Sequence, residues 1–538
     1  ETRRLYPNGA ATPKALGFVN RDCEGIAGIE EIFNNKLESA PGYEMTVEDG
    51  FGRIYGNLNG ARQEPVPGCN IYTTFDCAVQ EIVLSVLNEA VAGYDAKGGM
   101  AIVMLPRTGE ILSMVSTPLS DPNNPANSTN DHKRIKPVVN IYEPGSTFKL
   151  VPALAALLKG IPLDYKVDCE NGRYRIGSHT IKDVKPYKIL NFEEIIVKSS
   201  NIGIAKIAQM VGRNELYHAA RDLGFGCPTG IELPGEARGI LSQPSEWDDY
   251  LAATIGYGQG VSVSALQLAA AYSAVANDGL MFKPRIVRAI ENAEGEIFMI
   301  KPTTVRRVMS TETAHTLTDI LVKVVNEGSG TAAKIEGMVI AGKTGTAQVP
   351  ISRTEGYSHE RFISSFIGFT LDEPRVLCMV VLEEPQKAYY ASTVAAPQFR
   401  KIIEKIVPLL ISNERLKQGP LCGLRRFEIE EMKTPNMLTL PPESALAAAK
   451  EAGIKCVLLG DGAKITSQQP PPGAMFMKGD TLTVYAGKYE NAHDVVGMTL
   501  RTAVKRLTAM GYEVRVNGSG VVKSADFSGK FCTLNCML

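Results

Sequence analysis

The segment YEPGSTFKLVPALAALL, residues 142–158, places a serine and a lysine three positions apart at the start of a strongly apolar run. After a Pro-Gly turn signal the run is apolar on every side of a helical wheel, which predicts a buried helix. Ser146 and Lys149 would then lie on one face, with Cβ atoms about 5–6 Å apart. Two interpretations fit these residues: a helix cap followed by a lysine that reaches for solvent, or a nucleophile and its base.

The second interpretation requires a particular environment for the lysine. A serine hydroxyl becomes a good nucleophile when a base takes its proton, and a lysine is such a base only if burial or a nearby cation lowers its pKa. The apolar helix would supply the burial, and its N-terminus would present backbone N–H groups to a developing oxyanion. Pro152 fits poorly, because a proline inside a helix costs about 3 kcal/mol unless the helix kinks there.

A serine of this kind needs a second hydroxyl and an amide on the same cleft, and the chain has two SxN triplets. The triplet STN at 128–130 lies in the segment DPNNPANSTN and is interpreted as a loop, because Asn and Ser favour turns. The triplet SSN, from Ser199 to Asn201, lies at the junction of two helical patterns, FEEIIVKSS and NIGIAKIAQMVG. It could cap the second helix or line a cleft.

The third candidate is AGKTGTAQ, which contains Lys343, Thr344, Gly345 and Thr346. A glycine inside a strand permits the close approach of another backbone. A lysine and two threonine hydroxyls on an edge strand could hold a carboxylate while a peptide pairs as an added strand. The alternative is a turn with incidental polar residues.

Strand and helix patterns predict one α+β domain around these motifs. From residue 71, IYTTFDCAVQEIVLSVLNEAVAGY indicates a short strand, Asp76 as N-cap and an amphipathic helix. Hairpins are predicted in GGMAIVMLPRTGEILSMVSTP, around residues 106–109, and in SSFIGFTLDEPRVLCMVVLEEP, around residues 372–375. The stretch between the hairpins is mostly helical, so we expect one antiparallel sheet whose strands are far apart in sequence.

The C-terminal part holds an internal repeat. PESALAAAKEAGIKCVLLGDGAKITSQ and TLRTAVKRLTAMGYEVRVNGSGVVKSA align at an offset of 58 residues, which pairs Ala445 with Ala503 and Gly453 with Gly511. Each copy reads helix, glycine stop, strand, glycine turn, strand. At this offset the chain ends opposite Asp480, so the second copy is expected to lack, or to replace, its final strand.

Composition excludes several classes of protein. The 538 residues exceed a single core and favour about three or four domains, and a formal net charge of −1 without a long basic run argues against nucleic acid as a partner. No apolar run reaches the ~18 residues of a membrane span. Because the chain begins at Glu1 rather than Met, we expect an N-terminal anchor or signal to be missing.

Cysteines and histidines indicate neither a disulfide framework nor a metal site. Ten cysteines are irregularly spaced without a CxxC pair, and six histidines include no HExxH. Most of the cysteines are interpreted as small core residues. A partner for Cys532 or Cys536 is left open.

Together the motifs SxxK, SxN and KTG, in this order, resemble the signature of penicillin-binding proteins and class A β-lactamases. YEPGSTFK, IGYGQGVSVSALQLAAAYSAVANDG, KTGTAQ and YYASTVAAPQFRKI extend the resemblance to the transpeptidase domain of class B penicillin-binding proteins. RRLYPNG and GIAGIEEIFNNKL resemble that family's N-terminal pedestal, and the C-terminal repeats resemble PASTA modules.

The resemblance implies a multidomain α+β architecture, in which an antiparallel five-stranded sheet carries helices on both faces. The implied domains are a pedestal at 1–69 without its anchor, a transpeptidase domain at 70–412, a linker at 413–434, a PASTA-like module at 435–488, and a second, incomplete module at 489–538. A single N-terminal membrane anchor, outside this chain, would hold the catalytic domain on the extracytoplasmic or periplasmic side. No glycosyltransferase domain is expected.

The resemblance also implies a role for each motif residue. Ser146 would attack the D-Ala-D-Ala amide of a peptidoglycan stem peptide and form an acyl-enzyme, with Lys149 as its base. Ser199 would relay a proton towards the leaving amine. Asn201 would hold a substrate amide.

On the strand side, Lys343, Thr344 and Thr346, with Gly345 between them, would recognise the terminal carboxylate. The backbone N–H groups of Ser146 and Thr346 would form the oxyanion hole.

The resemblance implies no cofactor. Its expected partners are stem peptides as donor and amine acceptor, β-lactam antibiotics, a membrane glycosyltransferase and cell-division proteins, with a role in division. Two alternatives stay open at this point: a β-lactamase or D,D-carboxypeptidase, in which water resolves the acyl-enzyme, and a β-lactam sensor or cell-wall-binding scaffold. Septal, elongation and sporulation roles are not distinguished by the sequence.

Overall fold

The computed structural model describes residues 4–412 and 426–537 apart from 41, 49–53, 125–126, 353–355, 430–431, 460–461, 470–471, 474, 477–480, 487–494, 496–499, 501–502, 505–506, 508–512, 518–520 and 529–530. The chain forms two compact units, Glu1–Glu428 and Ile429–Leu538. None of the helices in the described ranges combines the length and the apolar character that a bilayer crossing requires.

The helices are α1 Gly28–Ile32, α2 Asn34–Leu37, α3 Cys77–Gly93, α4 Asn130–Lys133, α5 Lys136–Val139, α6 Leu150–Leu158, α7 Phe192–Val197, α8 Asn201–Val211, α9 Arg213–Asp222, α10 Asp249–Ile255, α11 Ala265–Ala276, α12 Thr311–Asn326, α13 Ala391–Val394, α14 Ala396–Ser412 and α15 Pro442–Glu451. Short 3₁₀ helices cover Gly9–Ala11, Lys14–Leu16, Gly145–Lys149, Glu170–Gly172, Pro244–Glu246 and Thr331–Ala333.

The strands are β1 Tyr43–Glu48, β2 Ile54–Gln63, β3 Asn70–Thr73, β4 Gly98–Met104, β5 Ile111–Ser116, β6 Lys166–Asp168, β7 Arg173–Ile176, β8 His179–Lys182, β9 Ile189–Asn191, β10 Leu280–Phe282, β11 Val287–Glu291, β12 Ile297–Ile300, β13 Thr304–Arg307, β14 Ile340–Ser352, β15 Gly356–Thr370, β16 Leu377–Glu383, β17 Arg426–Ile429, β18 Met432–Lys433, β19 Lys455–Leu459, β20 Ile465–Gln469, β21 Met475–Phe476, β22 Thr481–Ala486, β23 Glu513–Asn517, β24 Val521–Ser528 and β25 Phe531–Met537.

The first unit is organised around a five-stranded sheet in the order β14-β15-β16-β4-β5. All four neighbouring pairs are antiparallel. The two predicted hairpins, β4–β5 and β15–β16, are confirmed, and they join where Leu377 on β16 pairs with Met104 on β4. Strands from the start and the end of the domain therefore meet at the centre of the sheet, and β14, which carries the KTG motif, lies at its edge.

Helices cover the sheet, so that β4 and β5, at the end of the sheet away from β14, are buried on both sides. Every residue of β4 and β5 is buried, as expected for a strand packed on two faces. On one face the core is shared with α3 and α14, where the rings of Phe366 and Phe399 are 4.8 Å apart. α11 contacts β4 and β16. All of its residues are buried, and its N-terminus is fixed by a capping box between Ser264 and Gln267.

The second unit holds two three-stranded sheets of identical topology. In the first, β22 pairs in parallel with β19 and antiparallel with β20; in the second, β25 pairs in the same way with β23 and β24. Ala445 and Ala503, paired by the repeat, are both fully buried in their respective cores.

The prediction that the second copy lacks or replaces its final strand is wrong, because β25 is that strand. The shorter part is the connection before it: eleven residues, 470–480, separate β20 from β22, whereas two residues, 529–530, separate β24 from β25. A constant offset cannot align the two copies beyond this deletion.

Candidate active site

The serine and lysine of the SxxK motif do not share one α-helix. Gly145–Lys149 form a 3₁₀ turn, and α6 begins at Leu150. The expected helix is present with Ser146 and Lys149 on one face, but its first turn is 3₁₀ rather than α-helical, and residues three apart eclipse in a 3₁₀ helix. Since α6 begins at Leu150, Pro152 is the third residue of its first turn, where backbone N–H groups lack partners within the helix. The proline therefore removes no hydrogen bond from the interior of α6.

Hydrogen bonds from Thr147, Tyr272 and Gly145 hold the 3₁₀ turn in place. The Thr147 hydroxyl donates to the Pro144 carbonyl at 2.9 Å. The Tyr272 hydroxyl, from α11, donates to the Thr147 carbonyl at 2.8 Å. Gly145 has φ +56°, a left-handed conformation that favours glycine. Its N–H donates to the Gly258 carbonyl at 3.2 Å.

Strand β14 lies directly against this turn. A Cβ atom at Gly345 would lie 2.6 Å from Ser365 Oγ and 2.9 Å from the Pro144 carbonyl oxygen. The expectation that this glycine permits close backbone approach is therefore confirmed.

The SSN triplet joins α7 to α8. Ser199 adopts φ +58°, a conformation that is uncommon for a residue other than glycine. The Ser200 hydroxyl caps α8 by accepting the Gly203 N–H at 2.9 Å, so the capping interpretation holds for the middle residue of the triplet. Ser199 and Asn201, on either side, face the lysines.

Asp183, at the end of the β8 hairpin, holds the triplet in place. Its Oδ1 accepts the N–H groups of Asn201 at 2.5 Å and Ile202 at 3.1 Å. Its Oδ2 accepts the Ser200 hydroxyl at 2.7 Å. One carboxylate thus fixes three donors at the start of α8.

Lys149 lies at the centre of the site and is fully buried. Its Nζ lies 3.0 Å from Ser146 Oγ, 2.6 Å from the Ser199 carbonyl oxygen, 3.0 Å from Ser199 Oγ and 2.9 Å from Asn201 Oδ1. Burial and the nearby Lys343 cation hold the pKa of Lys149 well below its usual value, and the Asp183 carboxylate partly opposes them. These are the conditions under which a lysine can accept a proton from a serine.

Lys343 approaches the same serine of the triplet from strand β14. Its Nζ donates to Ser199 Oγ at 2.9 Å and to the Thr344 carbonyl at 3.2 Å. Only 1% of its surface is exposed, and this burial lowers its pKa to about 7. Thr344 Oγ1 lies 2.7 Å from Ser329 Oγ. The Ser199 hydroxyl oxygen is thus within hydrogen-bond distance of both buried lysines, so its own proton can point elsewhere.

A cleft of about 740 Å³ opens in front of this cluster, and Ser146, Ser199, Asn201, Thr344 and Thr346 line it. The Thr346 hydroxyl accepts the Ala391 N–H at 3.0 Å, which ties the strand to the wall formed by α13. The nucleophile candidate therefore faces a substrate-sized space, and its lysine lies behind it.

The structure brings together all the candidate residues of the motifs SxxK, SSN and KTG. Lys149 and Lys343 meet at Ser199, and the remaining candidates line the same cleft or, for Gly345, make room for it. The rejected triplet at 128–130 contributes no residue to the lining within the described part of the chain. There Thr129 Oγ1 instead lies 2.6 Å from His132 Nδ1.

Two residues of the site were missed. Asp183 lies in IKDVKPYKIL and Ser329 in NEGSGTA, and neither segment has a spacing that indicates a site. The available signal for Asp183 was an acidic residue at a strand end before a proline, which is also typical of an ordinary turn.

Comparison with known proteins identifies the family. The profile of the penicillin-binding protein transpeptidase domain matches residues 99–404, more than half of the chain. The chain belongs to the penicillin-binding protein transpeptidase family. The PASTA domain profile matches residues 432–488, and the resemblance to class B penicillin-binding proteins with PASTA modules is therefore confirmed.

Relatives and solved structures agree with this assignment. The chain is 31% identical to the peptidoglycan D,D-transpeptidase FtsI of Escherichia coli K12, over 75% of this chain and 66% of FtsI. It is 31% identical to stage V sporulation protein D of Bacillus subtilis, over 90% of this chain and 75% of that protein. Penicillin-binding protein 3 of Mycobacterium tuberculosis, solved in complex with ampicillin, is 28% identical with a TM-score of 0.68, covering 77% of this chain and 90% of that one.

Proposed function

We propose that this class B penicillin-binding protein is a peptidoglycan D,D-transpeptidase that acts through an acyl-enzyme on Ser146. The observation that carries the proposal is the position of Lys149 Nζ, buried and 3.0 Å from Ser146 Oγ. A neutral lysine has two N–H groups, which suit the Ser199 carbonyl and Asn201 Oδ1. Its lone pair is then available to the Ser146 hydroxyl.

Acylation begins when the Ser146 proton passes to Lys149 and Oγ attacks the amide carbonyl of the D-Ala-D-Ala donor. The tetrahedral intermediate collapses, the C–N bond breaks, and the leaving amine needs a proton. That proton moves from Lys149 through Ser199 Oγ, which lies 3.0 Å from Lys149 Nζ and contacts Lys343 on its other side. The relay restores neutral Lys149 for the second half of the reaction.

Strand β14 would orient the donor. As the edge strand of the sheet it can pair with an extended peptide. Lys343, Thr344 and Thr346 lie beside the nucleophile and would bind the terminal carboxylate. The N–H groups of Ser146 and Thr346 would stabilise the oxyanion, a role supported by the close packing of β14 on the serine turn.

An amine from a second stem peptide then attacks the ester carbonyl and loses a proton to Lys149. The bond between the acyl carbon and Ser146 Oγ breaks, and Lys149 returns the proton to Oγ as the new amide crosslink forms. β-Lactams would acylate the same serine because their ring amide resembles the donor amide. The names of the relatives favour this activity over a small hydrolase or a spent sensor. Extracytoplasmic action beside a membrane glycosyltransferase and division proteins belongs to the same proposal.

Labelling with a fluorescent penicillin tests the proposal. We expect a stable covalent adduct at Ser146, competition by a peptide ending in D-Ala-D-Ala, and no adduct in Ser146→Ala. Ser128→Ala, in the rejected triplet, is the matched control and should label normally. Rapid release of the label would instead favour a β-lactamase, and labelling of Ser146→Ala would refute the assignment of the nucleophile.

A further inference from the structure

The segment that follows Asp183 forms one part of the cleft wall. Val184, Lys185 and Tyr187 line the cleft there, together with Lys198 from the end of α7. Catalysis as proposed uses none of these four side chains. A peptide that pairs with β14 along one edge keeps a free backbone edge, and its side chains stand alternately on the two faces of the extended sheet within the same cleft.

Lys185 is the cation on this wall that is not already paired. Lys198 forms an ion pair with Glu194 at 2.9 Å and lies over the Tyr187 ring at 6.0 Å. The Lys185 side chain is exposed and has no hydrogen bond or ion pair with any residue that the structure describes. An uncompensated ammonium group at the rim of a substrate cleft attracts an anionic group of the ligand.

The backbone that carries Lys185 is held on both sides. The Asp183 N–H donates to the Gly172 carbonyl at 3.2 Å, and the Asp183 carboxylate is fixed to α8 as described above. On the other side, a Cβ atom at Gly172 would lie 3.0 Å from the Cα atom of Pro186, which shows how closely the two backbones pack. The backbone position from which the Lys185 side chain extends is therefore fixed.

We infer that Lys185 binds a carboxylate of the donor stem peptide upstream of the scissile amide. The protein would consequently bind stem peptides whose upstream carboxyl group is free more tightly than stem peptides in which the same group is amidated. The inference rests on the proposed function, because the peptide direction follows from binding of the terminal carboxylate at Lys343.

The test measures binding of two peptides to the Ser146→Ala protein, which removes turnover from the comparison. Both peptides end in D-Ala-D-Ala and differ only upstream, where one carries a carboxylate and the other the corresponding carboxamide. At low salt we expect the carboxylate peptide to bind about two- to fivefold more tightly, the range of an exposed ion pair. The preference should shrink as salt is added.

The variants are added to the Ser146→Ala background. Lys185→Gln should abolish the preference and Lys185→Glu should reverse it. Lys188→Gln, an exposed lysine of the same segment that does not line the cleft, should keep it. Retention of the preference in Lys185→Gln, or equal binding of both peptides to the parent protein, would overturn the inference. Penicillin labelling of the protein with Ser146 intact tests the proposed function separately. If the protein is not labelled but the binding preference is present, the acyl-enzyme proposal fails and the inference about Lys185 stands.

Discussion

Asp183→Asn separates charge from geometry at the active site. The carboxylate accepts two backbone N–H groups through Oδ1 and the Ser200 hydroxyl through Oδ2. An asparagine oxygen can accept the same two N–H groups, and its amide can donate to Ser200 Oγ. We therefore expect the free energy of unfolding to fall by less than about 1 kcal/mol. Asp183→Ala, which loses all three bonds, should cost roughly 2–4 kcal/mol.

The charge acts on Lys149. The Asp183 carboxylate raises the pKa of Lys149, against burial and the Lys343 cation, which lower it. Removing the carboxylate must therefore lower this pKa further, so that more Lys149 is neutral at a given acidic pH. In a plot of acylation rate against pH, the rate falls at acidic pH because the base is protonated. This acidic limb should move to lower pH in Asp183→Asn.

The assay is the second-order rate of acylation by a fluorescent penicillin from about pH 4.5 to about pH 8. The control is Asp168→Asn, an exposed acid on strand β6 that is not among the charges acting on Lys149. It should leave the limb in place. A limb that stays fixed or moves to higher pH in Asp183→Asn would refute the reasoning that Lys149 is the titrating base. Thermal unfolding of the two Asp183 variants checks the stability difference independently.

Three further changes probe neighbouring parts of the site. Lys343→Met should move the acidic limb in the opposite direction, to higher pH. The reason is that the Lys343 cation, present below about pH 7, lowers the pKa of Lys149. A shift to lower pH, as in Asp183→Asn, would contradict this electrostatic account. Gly345→Ala should lower the free energy of unfolding by about 1–3 kcal/mol and slow acylation, because the Ser365 side chain can rotate away from the new methyl group but the Pro144 carbonyl cannot. Thermal unfolding measures the first effect and the rate of penicillin labelling measures the second. Pro152→Ala should change the free energy of unfolding by no more than about 0.5 kcal/mol, as denaturant unfolding can show, whereas a gain near 3 kcal/mol would mean that the proline strains α6 after all.

Much of the site could be predicted because it consists of short motifs whose chemistry is visible in residue type and spacing. SxxK, SxN and KTG each had an ordinary alternative, and their combination made the functional interpretation consistent. The sequence analysis supposed an edge strand for the KTG motif and the sheet order confirms it, but the hairpins did not require it, because β5 belongs to a hairpin and is itself an edge strand. What the motifs could not provide was the local backbone. Whether Ser146 and Lys149 face one another across an α-helix or a 3₁₀ turn changes no residue in the pattern.

Sequence spacing could not predict that Asp183 positions the SSN triplet, and the reason is physical. A residue that holds another residue through hydrogen bonds to backbone N–H groups has no required spacing from it, because the backbone donors exist at every position of the sequence. The same bonds place Ser199, at φ +58°, between two lysines whose pKa values are both lowered by burial. Two charged ammonium groups beside one hydroxyl in a buried site are costly. One of the two lysines is therefore deprotonated at a lower pH than the other. The nearby Lys343 charge acts on Lys149, which is the lysine in contact with Ser146. Opposite shifts of the acidic limb in Asp183→Asn and Lys343→Met would therefore identify the base by its two charged neighbours, without altering either the nucleophile or the base itself.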